Sequence, residues 1–112
     1  MRVLAIYRSA VPSDGPPSEA HMAAMGAFMT EMAEAGILKY GGAVLSHAQP
    51  QLMSLSEGVF TSAKLDKTWP HGAGFGILQC ASQEELETVS RRFLEVAGDG
   101  ESEIWPLMDE MD

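Results

Sequence analysis

Apolar and polar positions along the chain switch between period two and the helical period, and each switch marks an element. Val3, Ala5 and Tyr7 fall on one side of an alternating run, Leu4 and Ile6 on the other. With both sides largely apolar, residues 2–8 are expected to form an interior strand. Residues 9–17 carry three prolines and Asp14-Gly15 and are expected to be a loop. From Ser18 the period turns helical. Met25, Phe28, Met29, Met32 and Gly36 form one stripe, and Ala20, Ala24, Ala27, Glu31 and Glu34 lie toward the other side. Ser18 is placed to cap this helix, and Gly36 suits the left-handed position beyond its end. The methionines of the stripe read as core packing.

A strand is expected over 37–40, with a bulge or bend at Gly41-Gly42 and a continuation through Ala43-Val44-Leu45. Residues 51–55 and 59–63 flank Ser56-Glu57-Gly58, a hairpin turn. Residues 64–72 are polar, with Trp69-Pro70-His71, and are expected to be an irregular, mobile loop. Residues 73–80 are apolar and fit a central strand. Ser82 and Glu85 form a capping box for a second helix, whose apolar face is Leu86, Val89, Phe93 and Val96. Gly98 ends that helix. A last strand over 101–107 puts Ser102, Ile104 and Pro106 on one face and Glu103, Trp105 and Leu107 on the other. Pro106 belongs near its end or at a sheet edge.

Strand, helix, strand, hairpin pair, strand, helix, strand is the order of two β-α-β units joined through a hairpin. The expected fold is therefore α+β: a ferredoxin-like sandwich, with an antiparallel sheet and two helices on one face. The strands also carry apolar residues on the face the helices do not cover. A second copy of the same sheet would cover it, so the chain is expected to act as a homodimer.

The length of 112 residues suits a single domain over 1–112. Cys80 is the only cysteine, which excludes an internal disulfide and fits a reducing compartment. Val3-Leu4-Ala5-Ile6 is too short for a signal peptide or a membrane span, so a cytoplasmic protein without membrane contact is expected. The net charge of -9 and the scattered basic residues would repel a phosphate backbone, and no nucleic-acid partner is expected. The scattered acids read as a solubilising surface.

Met1-Arg2-Val3-Leu4-Ala5-Ile6-Tyr7, the run Pro16-Pro17-Ser18-Glu19 into Met22 to Met29, and Ala35-Gly36-Ile37-Leu38 resemble the YCII-related family. So do Gly74-Phe75-Gly76-Ile77-Leu78, Ser82 to Leu86, and Glu103-Ile104-Trp105-Pro106-Leu107-Met108. The resemblance implies a ferredoxin-like domain that dimerises sheet to sheet into a dimeric α+β barrel. Where a better-known subgroup carries Asp-Gly-Pro-Phe, this chain reads Lys64-Leu65-Asp66-Lys67-Thr68-Trp69-Pro70. Another subgroup keeps a proposed catalytic histidine near the start of its first helix, the neighbourhood of His21.

His21 is also the leading candidate on physical grounds. In the first helical turn and on the apolar side, helix polarity and desolvation disfavour the imidazolium, and a neutral imidazole suits general base work. The same position also suits a packed histidine with one hydrogen bond. Asp66, Trp69 and His71 put an acid, an aromatic and a base in one loop that can close over a pocket, or merely decorate the surface. Asp66 is the candidate acid beside His21. Tyr7 and Arg8, at the end of the first strand, can orient an anionic ligand. His47 has nothing specific beside it. His21, His47 and His71 are too far apart for a local metal half-site, and neither metal nor cofactor is expected. Gly72-Ala73-Gly74-Phe75-Gly76 precedes a strand and has the wrong spacing for a dinucleotide loop; its glycines read as a tight loop and close backbone approach. Cys80 reads as a small packed hydrophobe. Two readings stand together: a small enzyme using His21 on an organic substrate in an apolar dimer cavity, and a non-catalytic dimeric module that binds a small ligand or a protein.

Overall fold

The computed structural model describes residues 1–12, 17–44, 48–66 and 71–108. Its elements are β1 (Arg2–Pro12), α1 (Glu19–Glu34), β2 (Leu38–Val44), β3 (Gln51–Ser56), β4 (Val59–Lys64), β5 (His71–Gln79), α2 (Gln83–Ala97) and β6 (Gly100–Leu107). Four strands form an antiparallel sheet in the order β2-β5-β1-β6, and β3 and β4 form a separate two-stranded sheet. This α+β arrangement is compatible with a ferredoxin-like fold.

Local sequence sets the helix ends. Ser18 Oγ accepts the His21 N–H at 3.1 Å. At the other end of α1, Ile37 N–H donates to Met32 C=O and Gly36 N–H to Ala33 C=O, with Gly36 at φ 77°. That is a Schellman motif, and it needs a residue that tolerates positive φ. Ser82 Oγ accepts from Glu85 N–H, while Glu85 Oε1 reaches back to Ala81 N–H, one residue before the cap. Glu57 and Gly58, at φ 50° and 81°, form a primed turn whose twist suits the β3-β4 hairpin.

The register separates the two sheet faces. Val3 pairs with Leu78 and Pro106, and Leu4 with Ile77 and Trp105. One face therefore carries Val3, Leu78 and Ile104, which meet buried Cys80 and Leu86. Both helices pack on this face, where Phe28, Met32 and Val89 form a second buried cluster with Leu38 and Phe93 beside it. The helices are also tied to each other: Arg92 bonds Glu31 at 2.6 Å and lies over the Phe28 ring. The opposite face presents Leu4, Ile6, Phe75, Ile77, Tyr40 and Trp105, and no layer of the described residues lies over it; Tyr40 is 65% and Trp105 53% exposed.

The sheet edges differ from the expected boundaries in two places. β1 runs past Arg8, because Ser9 pairs with Gly100, Ala10 N–H donates to Asp99 C=O, and Pro12 pairs with His71 after an irregularity. A proline lacks only a donor, so Pro12 is tolerated where the strand ends. The same pairing starts β5 at His71. The rest of the expected loop, residues 67–70 with Trp69, lies outside the described residues, as does His47. The bend expected at Gly41-Gly42 sits slightly earlier: the register against β5 shifts between Leu38 and Tyr40, leaving Lys39 as the extra residue.

The chain is spread out for its size. Its radius of gyration is 16.2 Å, where a compact chain of this length has about 13 Å. Its accessible surface is 8178 Å², where a compact protein of this mass exposes about 6000 Å². No helix among the described residues is long and apolar enough to cross a membrane.

Candidate functional site

Strand alternation creates a cleft under α1. On β5 the residues facing the helices are Gly72, Gly74, Gly76 and Leu78, and beside them β2 contributes Gly41 and Ala43 and β1 contributes Ala5. Four glycines and two alanines leave the sheet almost bare there. The face of α1 above it carries Met25, Phe28 and Met29, and the space between is an open cleft of about 1220 Å³. This volume exceeds the usual range for small-molecule sites, about 300–1000 Å³.

Leu38, Leu78, Met32 and Val89 line the cleft toward the core, and Val11, Pro17, Ser18, His21, Val44 and Gly72 line it where β1 ends and α1 begins. Among the described residues the wall is apolar apart from a few hydroxyls and the His21 imidazole. No Asp, Glu, Lys or Arg is among the described residues that line it. His21 is half-buried at this rim. The cap bond from its own N–H to Ser18 fixes its backbone, so the residue that starts the helix also places the imidazole. Tyr7 lies deeper. Its ring packs edge-on against Phe93 at 5.1 Å, and its hydroxyl donates to Gly98 C=O at 3.3 Å.

Of the residues singled out from the sequence, the structure brings His21 and Tyr7 to one cleft. Arg8 is the neighbour of Tyr7 in a strand, so it points to the opposite face, where it bonds Glu103 at 3.0 Å. Tyr7 and Arg8 therefore cannot grip one ligand, and they sit within β1 rather than at its end. Asp66 is exposed beyond β4 and is not among the cleft residues. His71 opens β5 opposite Pro12, and Trp69 lies outside the described residues. The sequence reading missed the floor. The strand expected over 73–80 holds Gly74 and Gly76, and β5 takes in Gly72 as well, so the three glycines form a bare strand face where a tight loop is the local expectation. Close backbone approach does hold at Gly74, where a Cβ would come within 3.1 Å of Gly42 C=O. The period-two spacing of the glycines was the signal for a bare strand face.

Glu103 and Cys80 both lie outside the cleft. Arg8, and next the indole N–H of Trp105, hydrogen-bond the Glu103 carboxyl and hold it below the usual carboxylate range. Cys80 is buried with Val3 and Leu86, and burial, then the charge of Glu85, push its thiol above the ordinary value. A buried, protonated thiol is inert, which agrees with a packed hydrophobe. Among the described residues no group of three or more His, Cys, Asp or Glu is placed to hold a metal ion. Compared with family models and with curated proteins, the chain has no match.

Proposed function

We propose that this is a YCII-related, dimeric ferredoxin-like protein that binds a small, mainly apolar organic molecule in the cleft under α1. His21 is its proton-transfer residue. The observation that carries the reading is the meeting of a large apolar cleft with the His21 imidazole at its rim. An apolar wall gives a ligand binding energy without direction, and a polar group at the rim supplies the direction. A base with no carboxylate among the described residues of the wall suits abstraction and return of a proton next to a carbonyl better than hydrolysis, which needs an activated nucleophile. Asp66 is left as the acid candidate of the sequence alone.

The dimer is supported by area. The chain exposes roughly 2200 Å² more than a compact protein of its mass, and its sheet face away from the helices carries Leu4, Ile6, Phe75, Ile77, Tyr40 and Trp105 beside the Arg8–Glu103 pair. Large obligate interfaces bury about 1000–2500 Å² on each partner. A sheet-to-sheet dimer of the barrel type leaves the cleft on the helix side of each protomer. The cleft therefore belongs to one chain, where the expected cavity lay inside the dimer.

The second reading, a binding module without catalysis, is favoured by the absence of an acid among the described residues lining the cleft. One experiment separates the two. Small cyclic and aromatic ketones, acetophenone among them, are incubated with the protein in D₂O, and deuterium uptake beside the carbonyl is followed by NMR. The enzyme reading expects binding and uptake in the native protein, and binding with uptake abolished in His21→Gln. Binding without uptake in the native protein leaves the module. Absence of binding across the panel contradicts both.

A further inference from the structure

The β3-β4 hairpin has no use in that reading, yet it is firmly built. Its turn is the primed type, Leu65 N–H closes its base on Pro50 C=O, and the Gln49 amide donates to both Pro50 and Leu65 carbonyls at 3.1 Å. All twelve residues of its strands are nonetheless exposed. A lone two-stranded hairpin in water is marginal at best and needs a further layer. Register places Met53, Leu55 and Phe60 together on one face, with Leu55 directly opposite Phe60. These three are 61%, 72% and 64% exposed.

We propose that residues Gln51–Lys64 form a dimerisation arm, which lays its Met53, Leu55 and Phe60 face on a second copy of this chain, along the β2 margin of its open sheet face, where Tyr40 stands. Three observations select a second copy. The arm carries only Glu57 and Lys64 as charges, so it recognises an apolar surface rather than a charged partner. The same chain displays such a surface at that margin in Tyr40, whose ring lies 5.9 Å from that of Phe75, and no described residue covers it. In a two-fold dimer each arm meets the other copy's face, so one symmetric contact covers both surfaces on both chains. The excess surface of the single chain matches what the arm and the sheet contact together remove. The arm rests on the dimer of the proposed function and adds to it at the β2 margin, leaving Leu4, Ile6 and Ile77 on the middle strands to sheet-to-sheet packing.

The test uses the full chain with Leu55→Ser and Phe60→Ser together, compared with Trp105→Ser on the sheet face. Sedimentation equilibrium gives the dimer dissociation constant, and circular dichroism checks the fold, which the buried clusters maintain without the arm. The arm predicts a dissociation constant raised by roughly tenfold or more in the hairpin variant, as for loss of central interface anchors. It also predicts that hairpin amide protons in the unsubstituted protein are protected at concentrations where it is dimeric and exchange freely on dilution. A dimer broken by Trp105→Ser but unchanged by the hairpin variant overturns the arm and leaves the sheet dimer. A native protein that stays monomeric at about 100 μM, a concentration well above ordinary dimer affinities, overturns both. Hairpin amides that exchange freely in the dimer also overturn the arm.

Discussion

Individual residues decide more of this molecule than its composition suggests. Gly100 is the sharpest case: a Cβ there would lie 2.5 Å from the Arg8 carbonyl and 2.8 Å from the Tyr7 ring. The backbone of β1 cannot yield as a flexible side chain would, and the Tyr7 ring is held by Phe93. Gly100→Ala is therefore expected to cost about 1–3 kcal/mol, the range for overpacking, read as a lowered urea midpoint with an unchanged slope. Gly72→Ala is the control, because a Cβ at Gly72 meets nothing within 4 Å. Equal midpoints for the two variants would contradict the account. Ser18, Gly36, Ser82 and Gly98 were legible from sequence because caps are local chemistry, fixed by neighbours within a few residues. Gly100 was not, because its constraint comes from a side chain ninety-odd positions away that only folding brings near.

At the scale of elements, periodicity found both helices, the hairpin and the interior position of β1. It erred where a ladder partner overrode a local signal. The prolines after Ser9 announced a loop, but pairing to Gly100 and His71 carried β1 on to Pro12. The Tyr7 and Arg8 pair failed for a related reason: adjacency in sequence is opposition in a strand. Tertiary ties between helices were not legible either. The bond from Arg92 holds the Glu31 carboxyl below the usual range. A carboxyl whose folded value is depressed contributes stability above its unfolded value, about 4.3, and loses it as pH falls through the folded value. The stability gap between native protein and Glu31→Gln should be constant from neutral pH to about pH 5 and close below about pH 4. Its size should be small, since both partners are exposed. Denaturant midpoints measured across that window check it, and a gap that persists unchanged to pH 3 (about one unit below the free carboxyl value) would contradict it.

For the whole molecule, the layer order and the uncovered sheet face followed from counting apolar residues on alternate positions. The cleft did not, although its causes were present in the sequence. A helix stripe of methionines and a strand face of glycines each have an ordinary reading alone; facing one another, they leave space that neither side fills. That space, with His21 at its rim, is the central claim. Its most direct test is NMR of methionine methyl groups during titration with acetophenone and related small ketones. Met25 and Met29 line the cleft, whereas Met53 on the hairpin and Met108 beyond β6 do not. The account predicts that the Met25 and Met29 methyls shift and the other two stay still. In Gly72→Leu, which fills the floor without meeting a neighbour at its Cβ, the shifts should disappear while the fold is kept. Methyl shifts confined to Met53 and Met108, or shifts at Met25 and Met29 that survive unchanged in Gly72→Leu, would contradict it.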